Sequence, residues 1–299
     1  MIEKIINKQT YTYKIVDNCE IKADVYNVSG KEIKPAIVFI HGGALILGNR
    51  ESHLVVIKTI ANAGYTVVSI DYRLAPETKL KDIIEDLCDA LNWVQNKGKS
   101  LFNIDPHRIG VVGNSAGGYL ALMSGFAADY IPKALVSIYG YGDIDGNWFK
   151  NPDSFYCQQP LISEQAAYAA ISTKIISETV PPHGNRFLFY TYCRQNGIWP
   201  KEVIGYDPRI EPAEMFDQFC PIRNITPSYP STMLVHGDQD TDVPYERSVE
   251  MATKLEEAGV KHKLVTVPGK GHLFELAGFE DQAVAMAFSE VIIFLKQNI

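Results

Sequence analysis

Tyr11, Tyr13 and Ile15, and then Ile21, Ala23 and Val25, fall at period two on either side of Asp17-Asn18, which predicts an antiparallel hairpin within the first thirty residues. Beyond Pro35 the pattern changes to short continuous apolar runs at 36–40, 66–70, 109–112, 134–139, 232–235 and 263–267. Unbroken apolar runs of this length are expected of parallel strands buried on both faces. Between 80 and 94 the period becomes helical. Leu80, Ile83, Ile84, Leu87, Cys88, Leu91 and Val94 form one apolar stripe, with Lys81, Glu85, Asp89 and Asn92 on the opposite side. Residues 245–258 and 283–297 read as helices too. A leading hairpin followed by alternating strands and helices implies a mostly parallel twisted sheet of about eight strands with helices on both faces.

One region breaks the alternation. From about 141 to 231 no clean strand appears, and aromatics and prolines accumulate: Trp148, Phe149, Phe155, Tyr156, Tyr168, Phe187, Phe189, Tyr190, Tyr192, Trp199, Tyr206, Phe216 and Phe219 all lie there. Long segments without strand structure inside a compact domain commonly serve as lids. The expected organisation is therefore a core from 1–140 and 232–299, interrupted by a helical cap insertion at 141–231. Which aromatics would line a pocket is open at this level.

Composition narrows the partners. The chain has 299 residues, a 46% hydrophobic share and a net charge of −7. Such a charge argues against nucleic acid and against an anionic membrane surface. The first eight residues lack the apolar core of a signal peptide, and no stretch approaches membrane-span length. Five scattered cysteines without C-x-x-C spacing read as reduced thiols rather than a disulfide framework or a metal site. The triplets Asn27-Val28-Ser29 and Asn224-Ile225-Thr226 are taken as chance glycosylation matches, and a cytoplasmic setting is expected.

The chemistry centres on Gly113-Asn114-Ser115-Ala116-Gly117, which follows the apolar run at 109–112 and precedes an apolar helical segment. A serine at the apex of a tight strand-to-helix turn has its hydroxyl held out in a cleft, beside a helix N-terminus. Its hydroxyl is a weak nucleophile and needs a base, a group that orients the base, and donors for the oxyanion. His272, in the glycine-rich loop after 263–267, lies where open α/β sheets place their sites. His53, His107, His183 and His262 have no comparable setting and are expected at the surface. Three aspartates, Asp238, Asp240 and Asp242, follow the strand at 232–235, and residue chemistry does not choose among them. The glycine pair after 36–40, Gly42 and Gly43, frees backbone N–H groups for an oxyanion, with the N–H of Ala116 as the complementary donor. His41 is expected to be structural.

Taken together, His41-Gly42-Gly43, Asp71-Tyr72-Arg73-Leu74-Ala75-Pro76-Glu77, Gly113-Asn114-Ser115-Ala116-Gly117-Gly118 and His236-Gly237-x-x-Asp240-x-x-Val243-Pro244 with Gly271-His272 resemble the α/β-hydrolase superfamily. The nearest likeness is to hormone-sensitive-lipase-like serine esterases, with the last part similar to carbohydrate-esterase-like and prolyl-oligopeptidase-like branches. The resemblance spans roughly residue 36 to the end, apart from the cap. It implies the α/β-hydrolase fold, a triad of Ser115, Asp240 and His272, an oxyanion hole from Gly42, Gly43 and Ala116, and a structural role for 71–77. Two positions depart from the pattern: Ala44 stands at the third glycine, and Asn114 stands where acidic residues are common.

The expected activity is hydrolysis of small carboxylic esters, short-acyl ones such as acetyl esters, through an acyl-enzyme and with neither metal nor organic cofactor. An amide hydrolase with the same triad (aminopeptidase-like or formamidase-like) is the alternative, and a non-catalytic binding scaffold is a third. The partner expected is a small-molecule ester. Some related esterases pair through sheet edges or helices, which leaves room for a homodimer.

Overall fold

A computed structural model describes residues 6–28, 32–179 and 185–299. The first five residues, Ser29 of the glycosylation-like triplet, and His183 lie outside the described residues. The hairpin is present as β1 (Ile6–Val16) and β2 (Cys19–Val28), turning through Asp17 and Asn18, both at positive φ. After it come β3 (Lys34–Ile40), α1 (Leu54–Asn62), β4 (Thr66–Ile70), α2 (Leu80–Phe102), β5 (Ile104–Asn114), α3 (Ala116–Met123) and β6 (Ala134–Ile138). The chain then runs through α4 (Asn147–Lys150), α5 (Ser154–Cys157), α6 (Glu164–Ala169), α7 (Arg186–Asn196) and α8 (Trp199–Ile204), with two short 3-10 turns after them. It returns to the sheet with β7 (Ser231–Gly237), α9 (Glu246–Glu257), β8 (His262–Val267) and α10 (Gln282–Asn298).

The eight strands form one sheet in the order β1-β2-β4-β3-β5-β6-β7-β8. Only the β1/β2 and β2/β4 pairs are antiparallel. Every residue of β4 and β6 is buried, which is why these strands read as unbroken apolar runs. Helices α1 and α10 cover one face through Val56, Ile57, Ile60, Val284, Val291 and Leu295. Helices α2, α3 and α9 pack on the other through Leu87, Leu91, Leu120, Met251 and Leu255.

Two elements are longer than their hydrophobic pattern indicated. Helix α2 continues past Val94 because Gly98 and Phe102 keep the buried side going, and it stops at Asn103 in the left-handed region. Strand β5 begins at Ile104, ahead of the polar residues 105–108 that hide it from a hydrophobicity reading.

From β3 the chain steps to β4 on one side, and from β4 it crosses to β5 on the other. The carboxyl ends of β3 and β5 therefore flank a topological switch point, the crevice where open α/β sheets hold their ligands.

Candidate active site

Ser115 sits between β5 and α3 at φ 53° and ψ −119°, a strained conformation for a residue with a side chain. Its N–H donates to the Ile138 carbonyl of β6 at 2.8 Å, which anchors the turn to the sheet. Gly117 lets the turn close, since a Cβ there would stand 2.1 Å from the Ile40 carbonyl oxygen at the end of β3. The strand that leads into Gly42 and Gly43 and the turn that carries Ser115 thus meet with no room for a side chain between them.

The structure brings the sequence-derived candidates together. Ser115 Oγ is 3.0 Å from His272 Nε2, and His272 Nδ1 is 2.7 Å from Asp240 Oδ2. Of the three aspartates, Asp240 is the one on the Nδ1 side. Its Oδ1 accepts from the N–H groups of Asp242 and Val243 at 2.8 and 3.0 Å. Asp238 instead accepts from the N–H of Gly269, out at the surface. Asp242 faces the opposite side of the imidazole, with Oδ2 at 3.6 Å from Nε2.

Burial alone would raise Asp240, but the hydrogen bonds from His236 and His272 more than offset it and hold the carboxyl far below the usual range. His236 is fully buried, and its Nε2 lies 3.1 Å from Asp240 Oδ2 and 3.0 Å from the Val243 carbonyl. Two acceptors at one nitrogen require the Nε2–H tautomer, leaving Nδ1 to accept from Ser248 Oγ at 2.8 Å. Burial lowers His272, yet the hydrogen bond to Asp240 and the charges of Asp242, Asp240 and Glu275 carry it above its ordinary value.

Gly42 and Gly43 line the crevice beside Ser115, Ala116 follows Ser115 as the first residue of α3, and among the described residues the N–H groups of all three find no acceptor. Gly43 takes φ 109°, a conformation that favours glycine, while its carbonyl caps the next turn by accepting from Ile46 and Leu47. Ala44, the departure from the family pattern, adopts φ 55°, and its carbonyl accepts from Trp199 Nε1 at 3.0 Å. Buried Arg186 donates to the carbonyls of Ile46 and Ala75 and pairs with Glu77 at 2.7 Å. The 141–231 segment therefore pins the loop that carries the glycines. Burial pushes His41 down to about 3, so it is neutral; Nδ1 donates to the Gly42 carbonyl while the ring stacks on Tyr72.

Sequence reasoning missed a polar cluster behind His272. Asn114 Nδ2 donates to Tyr139 Oη at 2.5 Å, and Tyr139 Oη donates to Glu275 Oε1 at 2.5 Å. His53, expected at the surface, is only 12% exposed, and its Nδ1 reaches the same Glu275 oxygen at 2.8 Å. Position 114 already faces a carboxylate, which explains asparagine there: an acid would put two negative charges in contact. The signal available in advance was the Glu three residues beyond His272, but no local pattern names its partners.

A cavity of about 240 Å³ opens over Ser115. Phe187 and Tyr190 are the aromatics of the 141–231 segment among its lining residues. Among the described residues, no His/Cys/Asp/Glu group has the arrangement to hold a metal ion, and no helix is long and apolar enough to cross a membrane.

Residues 23–255 match the BD-FAE family. The chain belongs to that family. Its fold is the α/β-hydrolase fold of esterases, and solved structures extend the likeness. A Staphylococcus aureus subsp. aureus Mu50 protein of unknown function superposes with a TM-score of 0.78 at 25% identity, covering 97% of this chain and 99% of that one. A Pyrobaculum calidifontis esterase gives 0.73 at 24% identity, over 99% and 86%. A truncated carbohydrate esterase from gut microbiota gives 0.68 at 22%, over 97% and 96%. Among curated relatives, the non-reducing polyketide synthase adrD of Penicillium roqueforti is 26% identical over 345 residues, 99% of this BD-FAE chain but 14% of that protein. The chain thus spans a small fraction of the length of such relatives.

Proposed function

We propose that this BD-FAE member is a serine hydrolase of small, short-acyl carboxylic esters, acetyl esters foremost. The observation that carries the reading is the continuous relay from Ser115 Oγ to His272 Nε2 and from His272 Nδ1 to Asp240 Oδ2, at 3.0 and 2.7 Å, at the switch point of the sheet. Ser115 attacks the ester carbonyl as its proton passes to Nε2. Asp240 keeps the Nδ1–H tautomer and stabilises the imidazolium. The N–H groups of Gly42, Gly43 and Ala116 receive the oxyanion, which supplies the largest share of the acceleration in acyl transfer. His272 then protonates the departing alkoxide, and water repeats the cycle on the acyl-enzyme. The chain's own groups complete each step, so the mechanism calls on no cofactor.

The modest cavity volume supports a short acyl group. Phe187 and Tyr190 support a cap role for residues 141–231, set on a core from 1–140 and 232–299. Five free cysteines fit a cytoplasmic setting, with a small-molecule ester as partner. The test is direct: a fluorophosphonate probe is expected to label Ser115, and Ser115→Ala to abolish p-nitrophenyl acetate turnover while the melting temperature holds. Turnover retained by a purified Ser115→Ala protein would sink the assignment. A parallel panel of peptide anilides and formamides separates ester from amide preference.

A further inference from the structure

The cavity over Ser115 contains a charged group that the acyl-transfer relay leaves unused. Asp242 lines it together with Ser115, His272, Phe187 and Tyr190. Its Oδ1 is saturated, accepting from Tyr156 Oη at 3.0 Å, Tyr190 Oη at 2.6 Å and Arg194 Nη1 at 2.9 Å. Arg194 Nη1 also reaches the Asp242 carbonyl at 3.1 Å. With its side chain fully buried, Arg194 holds this carboxylate from behind, its guanidinium 5.1–5.8 Å from the rings of Trp148, Phe149, Tyr156 and Tyr190. So fixed, the carboxylate cannot turn away. Its second oxygen, Oδ2, takes no donor among the described residues and stands 3.6 Å from His272 Nε2, beyond hydrogen-bond reach.

The charge around this oxygen is not balanced. Arg194 carries one positive charge and shares it with Asp153 at 2.7 Å as well as Asp242. Asp240 adds a further negative charge on the Nδ1 side of His272. No lysine or arginine among the described residues lines the cavity. The position of the oxygen matters as much as its charge. Nε2 is the atom that returns a proton to the leaving alkoxide, so a group beside Nε2 meets the alcohol half of the ester rather than the acyl half.

We propose that Asp242 is a specificity-determining residue that selects esters whose alcohol half carries a protonated amine a few atoms from the ester oxygen and rejects those with a carboxylate there. The ammonium N–H would donate to Oδ2, and the Phe187 and Tyr190 rings beside it suit a cation. This inference rests on the ester-hydrolase reading above.

Three acetate esters of nearly equal size test it: dimethylaminoethyl acetate, protonated near neutral pH; isopentyl acetate, its uncharged isostere; and acetoxypropanoate, an anion. Each kcat/KM is divided by the ester's own rate of hydroxide-catalysed hydrolysis, which removes differences in leaving-group reactivity. The wild-type protein is expected to favour the cation over the isostere by about tenfold and to disfavour the anion by a similar factor, as one partly solvated charge a few ångströms away would produce. Asp242→Asn, which keeps an oxygen for the tyrosines and Arg194, is expected to bring the three values together. Wild-type discrimination is also expected to shrink as salt rises, a readout that needs no variant. Equal wild-type values for the three esters, or a preference that survives in folded Asp242→Asn, would overturn the proposal. Failure of the ester-hydrolase reading looks different: the neutral ester would not be cleaved and Ser115 would not be labelled.

Discussion

Tyr139 and Glu275, 136 residues apart, share a 2.5 Å hydrogen bond directly behind the His272 imidazole, with the Tyr139 ring 4.5 Å from that of His272. Tyr139 follows β6 at φ 41° and Glu275 follows His272 by three residues, so the bond ties the histidine loop to the sheet. Glu275 also accepts from Asn114, which precedes Ser115. One buried carboxylate thus braces the surroundings of both Ser115 and His272 without touching either.

Glu275 has a charge that His272 feels. Replacing it by glutamine keeps the shape and removes the charge, so the imidazole is expected to lose part of its upward shift. A neutral Nε2 is needed for attack, and kcat/KM falls as His272 becomes protonated. The acidic limb of the kcat/KM profile is therefore expected above the ordinary histidine value of 6.5 in the wild type, and to move to lower pH in Glu275→Gln. A limb that stays in place would show that Glu275 is purely structural.

Stability has its own pH signature at the same residue. Burial would raise the Glu275 carboxyl, but its bonds to His53 and Tyr139 hold it below its ordinary value of 4.5. A folded-state value below the unfolded one gives stability that is present above about pH 4.5 and is lost as pH falls through the depressed value. Melting temperatures followed downward from pH 6 are expected to fall less steeply in Glu275→Gln than in the wild type.

The role proposed for Asp240 can be separated from its neighbours by the same conservative change. Asp240→Asn keeps the volume but disfavours the required tautomer, and a loss of about ten-thousandfold in kcat is expected by analogy with the same change in other serine hydrolases. Asp238→Asn keeps an oxygen for the Gly269 N–H and removes only a surface charge, and is expected to change kcat less than about twofold. Steady-state kinetics on one chromogenic acetate ester decides; comparable losses in the two variants would contradict the assignment of Asp240.

The parts of the fold that were legible in the sequence are those with a local cause. Runs such as 66–70 and 134–139 could be read because each residue of β4 and β6 is buried, and the Gly113–Gly117 turn because its spacing is dictated by contact with β3. What could not be read is what depends on contacts distant in the chain. Asp238, Asp240 and Asp242 are equivalent in spacing, and only the three-dimensional loop turns one toward Nδ1, one toward Nε2 and one to the surface. His53 looked like a surface histidine because its partner, Glu275, is 222 residues away. The Asp242–Arg194 pair joins residues 48 apart and carries no periodic signal.

His236 steadies Asp240 from its far side. Phenylalanine at this position preserves the bulk but removes the donor to Asp240 Oδ2 and the Val243 carbonyl, and strands the Ser248 hydroxyl. A buried polar group left without its partner costs about 1–3 kcal/mol. His236→Phe is expected to lower stability by that order, to lower kcat more than to raise KM, and to shift the acidic limb, because Asp240 would be less firmly held as the partner of His272. His236→Gln, which can donate through its amide nitrogen, is expected to restore part of both. A drop in stability with an unchanged pH profile would assign His236 to packing alone.

Trp199 offers a test of the proposed oxyanion role of the 42–44 loop that leaves Ser115, Asp240 and His272 untouched. Its indole N–H donates at 3.0 Å to the Ala44 carbonyl, while its ring, fully buried, stacks on Phe149 with centroids 4.1 Å apart. Trp199→Phe keeps much of the stacking and deletes the hydrogen bond. The Ala44 carbonyl would then be buried without a donor, and the loop carrying the Gly42 and Gly43 N–H groups would lose a strut. Donors to an oxyanion act only once charge develops in the transition state, so loosening them is expected to lower kcat and leave KM nearly unchanged. Complete removal of one such donor typically costs about a hundredfold or more in kcat; a loosened loop should cost less, about three- to tenfold. A rise in KM at constant kcat would instead mean that Trp199 shapes the substrate pocket, and the oxyanion-hole assignment of the loop would lose its support from this contact.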